Sequence, residues 1–208
     1  MTKTIGLILA GGRSTRMGGN DKAFIVLKGK RLLAHLLDRL KPQVDEVVIN
    51  SNVGAERFHE FGMPVIPDIL RGYLGPLAGI HAGLMAFPAD YLLTVAVDLP
   101  FIPHDLAARL QAQTDSQHCG YATDGKHHAL AILWPPGMAV AVKNFLNEGK
   151  HSIRDWVHVH GTPVVFQPTP DADIQFNVNS PEDLEKAELF LAEIHSAKNK
   201  RLNADSCG

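Results

Sequence analysis

The stretch LAGGRSTRMGGNDKAF, residues 9–24, sets four glycines, two arginines and a lysine directly behind the apolar run TIGLI. Glycines let backbone N–H groups approach anionic oxygens closely, and Arg13, Arg16 and Lys22 supply cations, a combination suited to a polyphosphate. The spacing departs from the two commonest phosphate loops. Gly11 and Gly12 are adjacent and the next glycine is Gly18, so the dinucleotide pattern G-x-G-x-x-G is absent. Lys22 follows Asp21 and precedes Ala23, where a P-loop has glycine before the lysine and Ser or Thr after it. On residue types alone, a phosphate-holding loop and a solvated surface loop both remain open.

A second candidate is Asp98, which closes the apolar run of YLLTVAVDLPF. A single carboxylate at a strand end, together with substrate phosphates and waters, is a sufficient donor set for Mg²⁺. The alternative is an Asx turn ahead of Pro100. The eleven histidines include KHH at 126–128 and HVH at 158–160, but neither has partner cysteines or an H-E-x-x-H frame. They read as solvated or locally bonded, and His35 and His81, inside helical patterns, as packed core residues. LRGYLGPLAGIHAG, residues 70–83, is expected to cross the open face between substrates, with Pro76 in a first helical turn and Gly79 and Gly83 permitting close packing.

These residues need a scaffold, and the pattern supplies one. Thr4–Leu9, Glu46–Asn50 and Tyr91–Val97 are continuous apolar runs bounded by turn residues, as expected of buried parallel strands. Between them RLLAHLLDRL places Leu32, Leu33, Leu36, Leu37 and Leu40 on one helical face and stops at Pro42, while GPLAGIHAGLMAF and HDLAARLQAQ repeat the period more loosely. Alternating strands and helices predict a single-domain, three-layer Rossmann-like α/β fold with a mostly parallel sheet, which binds ligands outside the carboxyl ends of its strands. YATDGKHHALAILW reads as a hairpin turning at Asp124-Gly125 that adds antiparallel strands. Ser180 as N-cap, Pro181 at the first helical position and Asp183 in the first turn open the last helix. From Ser196 the sequence is polar and aperiodic, so the domain is expected over 1–195 and a flexible tail over 196–208.

Composition narrows the partner. A chain of 208 residues suits one α/β domain, and 45% hydrophobic with 20% charged residues is ordinary for a soluble globular protein. No uncharged apolar run approaches the roughly 18 residues of a membrane span, and the run Ile5–Ala10 is too short for a signal peptide. Cys119 and Cys207 offer neither a disulfide framework nor a C-x-x-C site, which fits a reducing cytoplasm. The net charge of −2 comes from interspersed signs, leaving no basic stripe for nucleic acid and no polybasic patch for a membrane. A small-molecule partner is expected.

LAGGRSTRMGGNDK, NSN at 50–52, IPD at 66–68, GPLAGI at 75–80, DLPF at 98–101 and FNVNSPEDL at 176–184 follow one another across nearly the whole chain. Together they resemble the MobA family, the molybdenum cofactor guanylyltransferases. The opening motif is shared by many nucleotidyltransferases; the paired glycines with the Asn-x-Asn-Ser-Pro-Glu-Asp ending are far more specific. The resemblance implies a GT-A-like nucleotidyltransferase fold and transfer of GMP from GTP to the phosphate of molybdopterin, with Mg²⁺ as cofactor and pyrophosphate leaving. Carried over by motif, Leu9, Ala10, Gly11, Gly12, Lys22, Asn50, Asp68 and Asp98 are GTP contacts, Asp98 is also the Mg²⁺ ligand, and Asn177 and Asn179 lie on the acceptor side. In related cytidylyltransferases the motif usually reads LAAG, so Gly12 favours guanine.

In-line attack at a phosphorus needs charge stabilisation and positioning more than covalent help, so Arg16, Lys22 and Asp98 are the expected catalytic group. Asn177 and Asn179, two apart, project to one face if their segment is a short strand. Two other readings stand beside this one: a related nucleotidyltransferase using CTP or a sugar-phosphate acceptor, and a GTP-binding cofactor carrier without turnover. Molybdoenzymes or cofactor-delivery proteins are the partners implied for the product.

Overall fold

The three expected strands form at the expected places. In the computed structural model, which describes residues 2–11, 22–72, 74–88 and 90–205, they are β1 (Thr4–Leu9), β4 (Glu46–Asn50) and β6 (Tyr91–Ala96). β1 lies between the other two, parallel to both, with Leu9 opposite Asn50 on one side and Ala96 on the other. β5 (Val65–Ile66) extends this sheet beyond β4, with Ile66 opposite Asn50. On the far side β8 (His128–Trp134) runs antiparallel to β6, and β7 (Cys119–Thr123) and β9 (Gly161–Val165) complete the order β5-β4-β1-β6-β8-β7-β9. β8 alone opposes the other six, so their carboxyl ends share one edge with the start of β8. The expected hairpin is β7–β8. Its turn is held by Asp124, whose Oδ1 accepts from the backbone N–H groups of Lys126 (2.7 Å) and His127 (2.6 Å). A ribbon of β2 (Val26–Leu27) and β3 (Lys30–Arg31) stands apart from the main sheet.

Side chains alternate across each strand, so the sheet presents two apolar faces and helices cover both. Ile8, Ile49, Leu93 and Val95 pack with α1 (Leu32–Leu40) and α3 (Leu106–Gln111). Ile5, Leu7, Leu9 and Leu92 pack on the other face with α2 (Pro76–Ala86), α4 (Ala139–Asn147) and α5 (Ile153–His160). α2 sits close to the sheet because of its two glycines. A Cβ at Gly83 would stand 2.7 Å from Leu7 Cδ2 and 2.8 Å from Leu92 Cδ2, and one at Gly79 would overlap the side chain of Asn50.

A third cluster holds the functional loops. α6 (Pro181–Asp205) packs Ala187, Leu191 and Ile194 with Leu27, Leu32, Phe101 and Val178. Phe190 meets Phe101 edge-on at 4.7 Å and stacks on Phe176 at 5.7 Å. The start of α6 is capped as expected, with Ser180 Oγ accepting from Asp183 N–H at 3.2 Å and Asp183 Oδ2 accepting from Asn179 N–H at 3.0 Å. At its far end the backbone is helical from Ser196 to Asp205, within the stretch expected to be a flexible tail. Adding residues to an already docked helix gains one hydrogen bond per residue fixed, and Ala, Lys, Arg and Leu in this stretch are good helix formers. Among the described residues no helix is long and apolar enough to cross a membrane.

His81, in the middle of α2, is buried, and neither ring nitrogen has a hydrogen-bond partner among the described residues. Burial, with Lys143 nearby, lowers its pKa from the ordinary value. A histidine held neutral in the fold contributes stability that is complete above its unfolded pKa of about 6.5 and is lost as pH falls towards the folded value. His35, lowered by burial despite its contact with Leu27 O, acts in the same direction. His81→Leu is therefore expected to raise the melting temperature by a few degrees at neutral pH, since it removes two unpaired polar atoms for about 1 kcal/mol, and to flatten its decline below about pH 6.5. Melting curves between about pH 7.5 and 5.5 test this. An unchanged slope would show that His81 is protonated alike in both states.

Candidate active site

Because Leu9, Asn50, Ile66 and Ala96 lie level in neighbouring strands, the residues after them emerge side by side at the carboxyl edge. Ala10 N–H donates to Asn50 O at 3.0 Å and Val97 N–H to Leu9 O at 3.2 Å, which carries the pairing one residue past each strand. This leaves Ala10 and Gly11 between Asn50 and Asp98. The Asn50 side chain is buried and donates from Nδ2 to Asp68 Oδ1 (3.0 Å) and Ile66 O (3.2 Å). Asn52 completes the arrangement, donating to Asp68 Oδ2 and accepting from Asp68 N–H, both at 2.8 Å. Leu9, Ala10, Gly11, Asn50 and Asp68, which the motifs single out, thus lie together at this edge. Gly12 and Arg16 lie outside the described residues.

A second group centres on Asp98. Its Oδ2 accepts from Lys22 Nζ at 2.8 Å, with the two side chains 17% and 22% exposed. The same ammonium donates to Asn179 Oδ1. Asp98, Lys22 and Asn179 come from the end of β6, a single 3₁₀ turn over Lys22–Phe24, and the loop before α6. That loop is tied to the strand end through the backbone. Val178 N–H donates to Asp98 O at 3.0 Å and Asp173 N–H to Phe101 O at 2.9 Å. Partial burial makes the ion pair stronger than an exposed one, and the fixed loops hold it in place.

Residues 176–179 are not a strand, because the N–H of Val178 is used by Asp98 O and no neighbouring strand pairs with them. Val178 is nevertheless buried and Phe176 packs on the same cluster. The two asparagines have different partners. Asn179 holds Lys22, while Asn177 Nδ2 donates to Gln175 O at 3.0 Å and its side chain lines a pocket of about 540 Å³. Leu130 and Ile153 give that pocket apolar walls, and Arg154, His128 and Gln175 give it polar ones.

Sequence reading missed Asn52, although NSN repeats the asparagine at a two-residue spacing that is visible once Asp68 is placed. Arg154 and Gln175 carry no motif, and His128 belongs to the KHH read as solvated or locally bonded; the three line one pocket through the antiparallel run of β8. His81, by contrast, sits in the core as expected. No three His, Cys, Asp or Glu side chains converge among the described residues, so Asp98 stands as one carboxylate.

The arrangement is a carboxylate–ammonium junction at the carboxyl edge of a doubly wound sheet. Residues 6–164 match the family described as the MobA-like NTP transferase domain. The chain belongs to that family. It is therefore a nucleotidyltransferase, and its relatives agree across almost their whole length. The molybdenum cofactor guanylyltransferase of Shewanella piezotolerans is 40% identical over 206 residues, covering 97% of this chain and 99% of that protein. The protein of the same name from Shewanella loihica is 40% identical over 190 residues, covering 89% and 96%. The fold is shared more widely. Molybdopterin-guanine dinucleotide biosynthesis protein A from Archaeoglobus fulgidus superposes with a TM-score of 0.72 at 22% identity, covering 91% of this chain and 99% of that one. 4-Diphosphocytidyl-2C-methyl-D-erythritol synthase from Anaerococcus prevotii gives 0.71 at 13% identity, covering 92% and 96%. The family's single α/β domain with a mostly parallel sheet is the one found here.

Proposed function

We propose that the protein transfers GMP from GTP to the phosphate of molybdopterin, forming the guanine dinucleotide cofactor and releasing pyrophosphate. The observation that carries this is the junction itself: Lys22 bridges Asp98, at the strand edge that borders Ala10, Gly11 and Asn50, to Asn179, beside the pocket lined by Asn177. Nucleotide and acceptor meet there. Leu9, Ala10, Gly11, Gly12, Asn50 and Asp68 take the nucleotide, and Asn177 and Asn179 take the acceptor, offering donors and acceptors without a charge that repels phosphate. The acceptor phosphate is already ionised and needs no general base. Lys22 and Arg16 hold the departing pyrophosphate, and Lys22 exchanges Asp98 for phosphate oxygens as the nucleotide enters.

The donor set fits Mg²⁺, which binds through one or two carboxylates completed by substrate phosphates and waters, and Asp98 supplies such a carboxylate. When bound there, Mg²⁺ supplies positive charge against the phosphate chain at the reacting phosphorus. The product passes to molybdoenzymes or to proteins that deliver the cofactor. The reaction belongs in the cytoplasm, and burial pushes the free thiol of Cys119 up to about 11.

A cytidylyltransferase reading draws on the shared fold alone, whereas the relatives at 40% identity carry the guanylyltransferase name. The test is to supply the purified protein with molybdopterin, Mg²⁺ and each nucleoside triphosphate in turn and to follow pyrophosphate. Release with GTP only is expected. Release with CTP would favour the cytidylyl reading, and GTP binding without release would favour a carrier.

Gly79 offers a local check on the nucleotide half. Gly79→Ala places a methyl group against Asn50, 2.7 Å from its Cγ, so Asn50 must swing away from Asp68 and Ile66. Overpacking of this kind costs about 1–3 kcal/mol, and GTP affinity is expected to fall by roughly tenfold along with the melting temperature. Gly83→Ala crowds Leu7 and Leu92 instead and is expected to lower the melting temperature only. Calorimetric GTP titrations of the two variants separate these effects. Equal GTP affinities in both would remove Asn50 from the nucleotide site.

A further inference from the structure

We infer that the pocket beside Asn177 receives the body of the acceptor and that Arg154 holds an anionic group on that body, making Arg154 a specificity-determining residue for acceptor rather than nucleotide. The inference rests on the function proposed above and adds a residue that no motif marks. Arg154 is exposed on the pocket wall and has no ion-pair partner among the described residues. No carboxylate lines the pocket. The nearest acid in the neighbouring turn, Asp124, is committed to His127: its Oδ1 takes the His127 and Lys126 N–H groups and its Oδ2 lies 3.0 Å from His127 Nδ1. An unpaired guanidinium facing a cavity without acids selects an anion, and its planar fork suits an oxyanion or a pair of thiolates.

The position fits the path of the acceptor. Asn177 lines the pocket and Asn179, two residues on, accepts from Lys22 Nζ, so the loop before α6 joins the pocket to the Lys22–Asp98 junction. An acceptor whose phosphate lies at that junction projects its remainder away from the Asn50–Asp68 half and into the cavity. A volume of about 540 Å³ suits a flat heterocycle, with Leu130 and Ile153 as apolar walls and Gln175 and Asn177 as hydrogen-bonding edges. His128, at the same wall, has its pKa lowered by partial desolvation and by Arg154, and its neutral ring offers one donor and one acceptor. Ser152 Oγ caps α5 by accepting from Asp155 N–H at 3.2 Å, which fixes the turn that carries Arg154.

The experiment compares wild type, Arg154→Ala and Arg154→Lys in steady-state assays with GTP and metal-free molybdopterin, together with calorimetric titrations of GTP and, in EDTA without nucleotide, of molybdopterin. Arg154→Ala is expected to raise the KM for molybdopterin at least about tenfold and to weaken its nucleotide-free binding equally, the scale of one charge-assisted contact, with kcat and GTP affinity unchanged. Arg154→Lys is expected to recover part of the loss, which a purely structural role would not allow. Unchanged molybdopterin KM and binding in an active Arg154→Ala variant would overturn the inference and leave the guanylyltransferase reading intact. A matching fall in GTP affinity would also overturn it, since the pocket would then belong to the nucleotide. Wild-type protein that releases no pyrophosphate from GTP and molybdopterin would remove the reading on which it rests, and the inference with it.

Discussion

Asp98→Asn is expected to lower the rate of pyrophosphate release roughly 10²–10³-fold, the range for loss of one group that stabilises transition-state charge, while GTP still binds in EDTA. The change conserves shape. Asparagine keeps an oxygen for Lys22 Nζ, now 2.8 Å from Asp98 Oδ2, and the backbone oxygen that accepts from Val178 N–H at 3.0 Å is untouched, so the loop carrying Asn177 and Asn179 stays in place. What disappears is one negative charge where the strand edge, the lysine turn and the loop before α6 meet. In the absence of metal that carboxylate repels a triphosphate, so nucleotide affinity in EDTA is expected to hold or to rise slightly. Rates measured at saturating Mg²⁺, beside GTP titrations in EDTA, separate the two outcomes. Turnover near the wild-type rate would remove Asp98 from the metal-binding role.

Lys22→Ala carries the second large effect, and its signature is a difference between ligands. A charge-assisted hydrogen bond is worth about 1.5–3 kcal/mol, so GTP affinity is expected to fall roughly 10- to 100-fold while GMP, which lacks the β- and γ-phosphates, loses far less. The nucleotide-free protein makes this contrast sharp, because the ammonium is not idle: it holds Asp98 and Asn179. Its removal leaves Asp98 without that cation and frees Asn179, so the melting temperature of the ligand-free protein is expected to fall as well. Calorimetry with GTP and GMP under the same conditions measures the difference. Equal losses for both ligands would place Lys22 at the base or ribose, away from the phosphate chain.

Much of the scaffold is written in local sequence. β1 and β4 begin and end at the expected residues and β6 stops one residue short, because a fully buried parallel strand must be apolar throughout and is cut off by the polar residues that leave the sheet. The leucine face of α1, the hairpin turning after Thr123 and the cap at Ser180 were equally local, each written in a few consecutive residues. The candidate residues Asp98 and Lys22 were visible for the same reason, as a charge at a strand end and a cation behind glycines. After Ser196 local pattern carried no helix signal, and there a polar sequence without apolar period extends a helix that is docked upstream.

Local pattern therefore carries the elements, their alternation and the family likeness of motifs that lie along the chain. Tertiary structure alone decided which of them meet. Lys22 reaches Asp98 across 76 positions and Asn179 across 157, and no periodicity encodes such a contact. Strand order and register set it: Leu9 pairs with both Asn50 and Ala96, which levels the strand ends. The antiparallel turn of β8 then brings His128 to that edge, and α5 sets Arg154 on the wall of the same pocket. Gly79 shows the distinction in one residue, since its place in a helix could be read from spacing, but its contact with Asn50 exists only because α2 lies against the sheet at that point. Burial patterns are properties of a segment, whereas a site is a property of how distant segments pack, and only the packed chain contains that information.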